Sequence, residues 1–147
     1  MPKRILSMNQ FINESKVIDK EFFITTLEET FGYSRVESEQ IVDSEVEYLN
    51  NLPDQIELYR IIFADSKKEI NTDKLGSHYS DNKESLIENS SFATGYGDIK
   101  FLVTILARKE QIDIHETLHN RILYPNENEI TIKNNGKGIK VQTIEKL

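Results

Sequence analysis

Ile56-Glu57-Leu58-Tyr59-Arg60-Ile61-Ile62-Phe63 is the stretch on which the reading of this chain turns. It is rich in residues that favour extended backbone, and it predicts a strand. Successive strand side chains point to opposite sides, so Ile56, Leu58, Arg60 and Ile62 share one face and Tyr59, Ile61 and Phe63 the other. Arg60 therefore sits in apolar company. A guanidinium there is costly unless an anion accompanies it.

Working outward, Asn50-Asn51-Leu52-Pro53-Asp54 breaks the pattern and predicts a boundary between 1–51 and 52–147. Upstream the chain reads as helical and acidic. Phe22, Phe23, Leu27 and Phe31 recur at helical spacing, with Gly32 as a stop. A second helix is expected from Ser38 to Leu49, with a two-turn stripe of Ile41, Val42, Glu45, Val46 and Leu49, capped by Ser34 or Ser38. Downstream, Leu75 to Ser80 predicts a short strand, followed by a helix that Asp81 and Glu84 open as a capping box. Ser90 to Asp98 is a glycine-containing loop carrying Phe92 and Tyr96. Ile99 to Ala107 is the most apolar run and the expected central strand. Asp113 with Glu116 opens a helix to about Asn120. Glu129 to Ile132 is a further strand, and Asn134-Asn135-Gly136-Lys137-Gly138 predicts a hairpin turn into Ile139 to Ile144. The expected fold class is α+β, a helical N-terminal segment followed by a compact strand-rich body.

Composition narrows the function classes. At 147 residues the chain can bury a modest core, and 37% hydrophobic with 29% charged residues is polar but not disordered. A formal net charge of −7 offers no general attraction to phosphate backbones or anionic lipid. There is no cysteine, hence no disulfide framework and no thiolate zinc site. No apolar run approaches a membrane span, and Ile5-Leu6 after Lys3-Arg4 is too short for a signal-peptide core. The expectation is a cytoplasmic protein without a membrane partner.

Pro125-Asn126-Glu127-Asn128-Glu129-Ile130-Thr131-Ile132 carries the strongest candidate chemistry. Read as a strand start, it puts Glu127 and Glu129 on one face, where like charges raise one pKa. A carboxylate at a strand edge contributes little to the core, so Glu129→Gln is expected to leave folding nearly intact. His115 and His119 lie one helical turn apart but lack a third ligand, and no metal is expected.

Three of these elements, in this order, resemble the ADP-ribosyltransferases of the arginine–serine–glutamate type, which include the clostridial binary toxins and vertebrate ecto-enzymes. Leu58-Tyr59-Arg60 is similar to the family's opening-strand arginine. His78-Tyr79-Ser80, with Gly76 before it, is similar to its Ser-Thr-Ser segment, and Glu127-Asn128-Glu129 to its Glu-x-Glu motif. The stretch from Gly136 to Val141 resembles the closing hairpin. The resemblance covers roughly 52–147. It implies two small packed sheets with flanking helices and a mono-ADP-ribosyltransferase that takes NAD as substrate and needs no metal. The acceptor it implies is a macromolecule, an arginine-type side chain first and nucleic acid second.

The resemblance also implies roles. Arg60 binds the NAD pyrophosphate or ribose with its forked donors. Glu129 stabilises the sugar cation, and Glu127 orients or deprotonates the acceptor. A hydroxyl or imidazole from Ser80 or His78 positions the carboxylate, and Phe92 or Tyr96 stacks on nicotinamide. One departure stands out: His78 occupies the position of the family's usual serine. A small enzyme of this kind suits a phage- or bacterium-encoded effector acting where it is made. The alternative is a non-catalytic binding protein that keeps the fold and docks a partner through its helical N-terminal part.

Overall fold

The computed structural model describes residues 18–89 and 93–147. Contacts divide the chain into Met1–Val42 and Asp43–Leu147. In the first unit, helix α1 (Lys20–Phe31) starts at Asp19, whose carboxylate accepts from Phe22 N at 3.1 Å. It ends at Gly32, in the left-handed conformation at φ 71°. Its buried stripe is Phe23, Ile24 and Leu27. Helix α2 (Arg35–Asn50) opens with a reciprocal capping box, Ser34 Oγ accepting from Glu37 N and Glu37 Oε1 from Ser34 N.

The remaining elements are β1 (Gln55–Ala64), β2 (His78–Ser80), α3 (Lys83–Asn89), β3 (Thr94–Gly95), β4 (Ile99–Arg108), α4 (Ile114–Leu123), β5 (Glu129–Thr131) and β6 (Lys140–Lys146). The fold is α+β. Its strands form one six-stranded sheet in the order β5-β2-β1-β4-β6, with β3 also pairing β1. All pairings are antiparallel except β1 with β3. The two long apolar runs make the centre, paired without a break from Gln55↔Arg108 to Ala64↔Ile99. Leu86 of α3 closes over Ile61 and Leu102 on one face of this pair. Among the described residues no helix is long and apolar enough to cross a membrane.

Two expectations of the sequence are corrected. The described strands make one sheet, not two small packed ones, because β2 and β5 extend the edge of β1 instead of starting a second layer. The hairpin between β5 and β6 does not form either, since these strands lie at opposite ends of the sheet. Asn134, Asn135 and Gly136 do adopt left-handed backbone, at φ 55°, 56° and 79°. They curl into a 3-10 turn across the lead-in to β2, where Ile132 N donates to Ser77 O at 2.8 Å. The outer edge of β5 is already occupied: Asp113 N donates to Thr131 O, and Thr117 Oγ1 accepts from Thr131 N at 2.8 Å. Closing an edge with a helix in this way removes a site for stray strand pairing. β6 pairs with β4 instead.

A third correction concerns Asp81. The cap of α3 is Asn82, whose Oδ1 accepts from Ser85 N at 3.0 Å. Asp81 accepts instead from Tyr48 OH and from Arg121 Nη1, the latter at 3.1 Å. Arg121 Nε donates to Glu45 at 2.7 Å, and its guanidinium lies 4.6 Å from the Tyr48 ring centroid. These bonds tie the last turns of α2 into the second unit, so the division falls at 42/43 inside a helix and not at the Asn-Asn-Leu-Pro break.

The turn after β5 depends on one glycine. A Cβ built on Gly136 would stand 2.1 Å from Gly76 O, a backbone atom that cannot swing aside. Gly136→Ala combines that clash with a left-handed φ, and we expect it to cost about 2–4 kcal/mol. Urea unfolding of the variant measures this, and a loss below about 1 kcal/mol would contradict the close approach.

Candidate functional site

The site is built around Glu129, the first residue of β5, which is only 4% exposed. Pairing of β2 with β5 sets His78 opposite Thr131 and Ser80 opposite Glu129. Residues opposite one another, and residues two apart on a strand, share a face. His78 and Thr131 therefore flank the Glu129 side chain. Thr131 Oγ1 donates to Glu129 Oε2 at 2.5 Å, and His78 Nδ1 meets the same oxygen at 2.8 Å. A third donor comes from α4, Asn120 Nδ2 at 2.6 Å. Asn120 also reaches Thr131 Oγ1 at 3.3 Å.

All three donors converge on Oε2. Among the described residues Oε1 accepts no hydrogen bond. Among the described residues, the sealed side-chain polar atoms without a partner are Ser38 Oγ and Arg60 Nε. Chemically this is a carboxylate with one oxygen tied down by three donors. Beside it the His78 side chain is 53% exposed.

Glu127 is close but not where a strand would put it. It ends a 3-10 turn (Pro125–Glu127), and Asn128 follows in left-handed backbone at φ 52°. The strand starts only at Glu129, so the expected shared strand face does not exist. Burial, and then the charge of Glu129, still push the Glu127 carboxyl above the ordinary range, while His78 opposes them. Ser85, Asn89, Pro125, Asn126, Glu127 and Asn128 line a groove of about 600 Å³. Its walls are amides, a hydroxyl and one carboxylate, with no lysine or arginine.

Arg60 is 8% exposed. It follows Tyr59, which pairs with Ser80, so the alternation turns it to the face opposite Glu129. There it lies over the Tyr79 ring, 5.8 Å from the centroid. Nη1 nevertheless donates to the His78 carbonyl at 2.8 Å, and Nη2 to Thr94 Oγ1 at 3.3 Å. Nε has no partner, and among the described residues Arg60 forms no ion pair. Burial therefore lowers its pKa, opposed by Tyr79 and Glu129. A Cβ on Gly76 would stand 3.2 Å from Nη1, so the glycine leaves this guanidinium its room.

Neither Ser80 nor Tyr96 bonds the carboxylate among the described residues. Ser80 is buried, and its Oγ accepts from Asn82 N at 3.0 Å and donates to Asn82 O, so its hydroxyl is spent locally. Tyr96 is 97% exposed, and Phe92 lies outside the described residues. Among the described residues no group of three or more His, Cys, Asp or Glu could hold a metal. Two contributors escaped the sequence reading. Thr131 was accessible through its i, i+2 relation to Glu129. Asn120, a poor helix former well inside α4, was the only other hint.

The burial of Glu129 overturns the expectation that this carboxylate matters little to folding. Glu129→Ala leaves the donors of Asn120 and Thr131 unmet, and should cost about 2–4 kcal/mol in urea unfolding. Glu129→Gln can place an amide oxygen where Oε2 was and should cost about 1 kcal/mol. Equal losses in the two variants would contradict the convergence on Oε2.

Compared with known proteins, the chain matches no family model, no curated protein and no solved structure, so the reading of the site rests on its geometry.

Proposed function

We propose that this chain is a mono-ADP-ribosyltransferase that cleaves NAD at the nicotinamide–ribose bond and passes ADP-ribose to a macromolecular acceptor. One observation carries the reading. Arg60, His78 and Glu129 come from three adjacent strands and meet through His78, whose carbonyl accepts from Arg60 and whose ring reaches Glu129. The residues suit an anionic substrate: a buried guanidinium with an unfilled donor and no ion pair among the described residues is answered by a diphosphate.

When bound, NAD supplies a glycosidic bond whose cleavage builds positive charge on the ribose. Glu129 offers a carboxylate held rigidly through Oε2, the kind of preorganised charge that favours such a transition state. Its Oε1, which accepts no hydrogen bond among the described residues, takes a sugar hydroxyl, a use of carboxylates shared with glycosidases. Glu127, on the groove, orients the acceptor. A groove wall without lysine or arginine suits a guanidine-type acceptor better than one gripped by phosphate, which keeps nucleic acid second. The proposed setting is the cytoplasm, with the protein an effector encoded by a phage or bacterium.

One observation favours a second reading, a non-catalytic binding protein: the Ser80 hydroxyl is turned to Asn82 and does not touch Glu129. Nicotinamide release from NAD, and label transfer from labelled NAD into a cell lysate, separate the two. The transferase reading expects both activities in the wild type. It expects Glu129→Gln to lose each about a hundredfold or more, or roughly 2.7 kcal/mol. A folded Glu129→Gln protein that keeps more than about a tenth of the activity would remove Glu129 from the chemistry.

A further inference from the structure

We infer that His78 is the proton acceptor of this site, a general base whose working atom is Nε2 and whose tautomer is set by Glu129. The inference rests on the transferase reading for the reaction it serves, but not for the proton's position. An ionised carboxylate only accepts hydrogen bonds. His78 Nδ1 lies 2.8 Å from Glu129 Oε2, so Nδ1 must carry the hydrogen. The neutral ring then has its lone pair on Nε2. That atom forms no hydrogen bond among the described residues, and the side chain is half exposed. A buried carboxylate behind an outward-facing imidazole is the arrangement by which a histidine is aimed as a base. Asn120 and Thr131 are positioning residues, since both fix the oxygen that fixes the ring.

The role relieves a difficulty with Glu127. Its carboxyl lines the groove, and among the described residues no hydrogen bond aims it at a proton. With His78 as base, Glu127 keeps the orienting role alone. In the step, an acceptor N–H or O–H gives its proton to His78 Nε2 while the acceptor heteroatom uses its electron pair to bond the ribose anomeric carbon. The bond from that carbon to nicotinamide breaks, and both its electrons go to the ring nitrogen, which leaves neutral. His78 then passes the proton to water.

Two measurements on the full chain test this. Nitrogen-15 NMR at about pH 8.5, some two units above the ordinary histidine range, reads the tautomer directly. The expected result is a protonated Nδ1 and a bare Nε2 for His78; a protonated Nε2 overturns the inference. The second measurement uses His78→Asn, whose amide can keep the bond to Glu129 but cannot take a proton. It should unfold at the wild-type urea midpoint and transfer label at least about a hundredfold more slowly, and His78→Ala should regain activity on addition of imidazole. Transfer by His78→Asn within about threefold of wild type overturns the role. A wild-type protein with the Nδ1–H tautomer and no NAD cleavage at all sinks the transferase reading while supporting the outward-facing proton acceptor.

Discussion

A carboxylate taken out of water must be met by donors, and the burial of Glu129 is the constraint on which the site depends. Its three partners come from three different elements: His78 on β2, Asn120 on α4 and Thr131 on β5 itself. β5 is short, and alone it could not hold such a group. It is held on one edge by β2 and on the other by Asp113 and Thr117 at the start of α4. The same helix that closes the edge carries Asn120 to the carboxylate. Arg121, the next residue, donates to the Glu129 carbonyl at 3.3 Å and joins Glu45 and Asp81. Backbone and side chain of one residue are thus held by neighbouring positions of one helix.

Arg60 presents the opposite situation. Its guanidinium is also buried, yet among the described residues its hydrogen-bond partners are a carbonyl and a hydroxyl. Attraction to Glu129 raises its pKa, but burial outweighs that attraction and the net direction is down. Gly76 and Gly136 together explain how the backbone tolerates the crowding, because each lacks the Cβ that would fill the space above β2. A folded state whose buried cation forms no ion pair among the described residues is one that an added anion can stabilise. Glu129 thus lies on one face of β2 and Arg60 on the other, with the His78 peptide between them.

The elements with strong periodicity were legible in the amino-acid order. β1, β4 and the two N-terminal helices appear close to their expected ranges, because alternation and helical spacing are local properties. Arg60 in apolar company was legible for the same reason. Strand order was not, since the hairpin signal at Asn134–Gly138 reports only the sign of φ and not what the flanking strands pair with. The capping residue of α3 was misplaced by one position because Asp81 is claimed by Arg121, forty residues away in sequence. Glu127 and Glu129 were rightly read as electrostatic neighbours, but for the wrong geometric reason: a left-handed Asn128 brings them close, not a shared strand face. Asn120 offered only its poor helix propensity, because its role exists only once α4 lies along β5.

The proposed function requires one dinucleotide to reach both the His78–Glu129 pair and the Arg60 guanidinium, which the His78 residue links. Calorimetric titration of the folded protein with a non-cleavable NAD analogue tests it most directly. The account predicts saturable binding of one equivalent, weakened about tenfold or more by Arg60→Lys, which keeps the charge but loses the planar fork. Ser80→Ala, whose hydroxyl is spent on Asn82, should bind as the wild type does. Absence of binding by the folded wild-type protein, or equal affinity in Arg60→Lys, would contradict it.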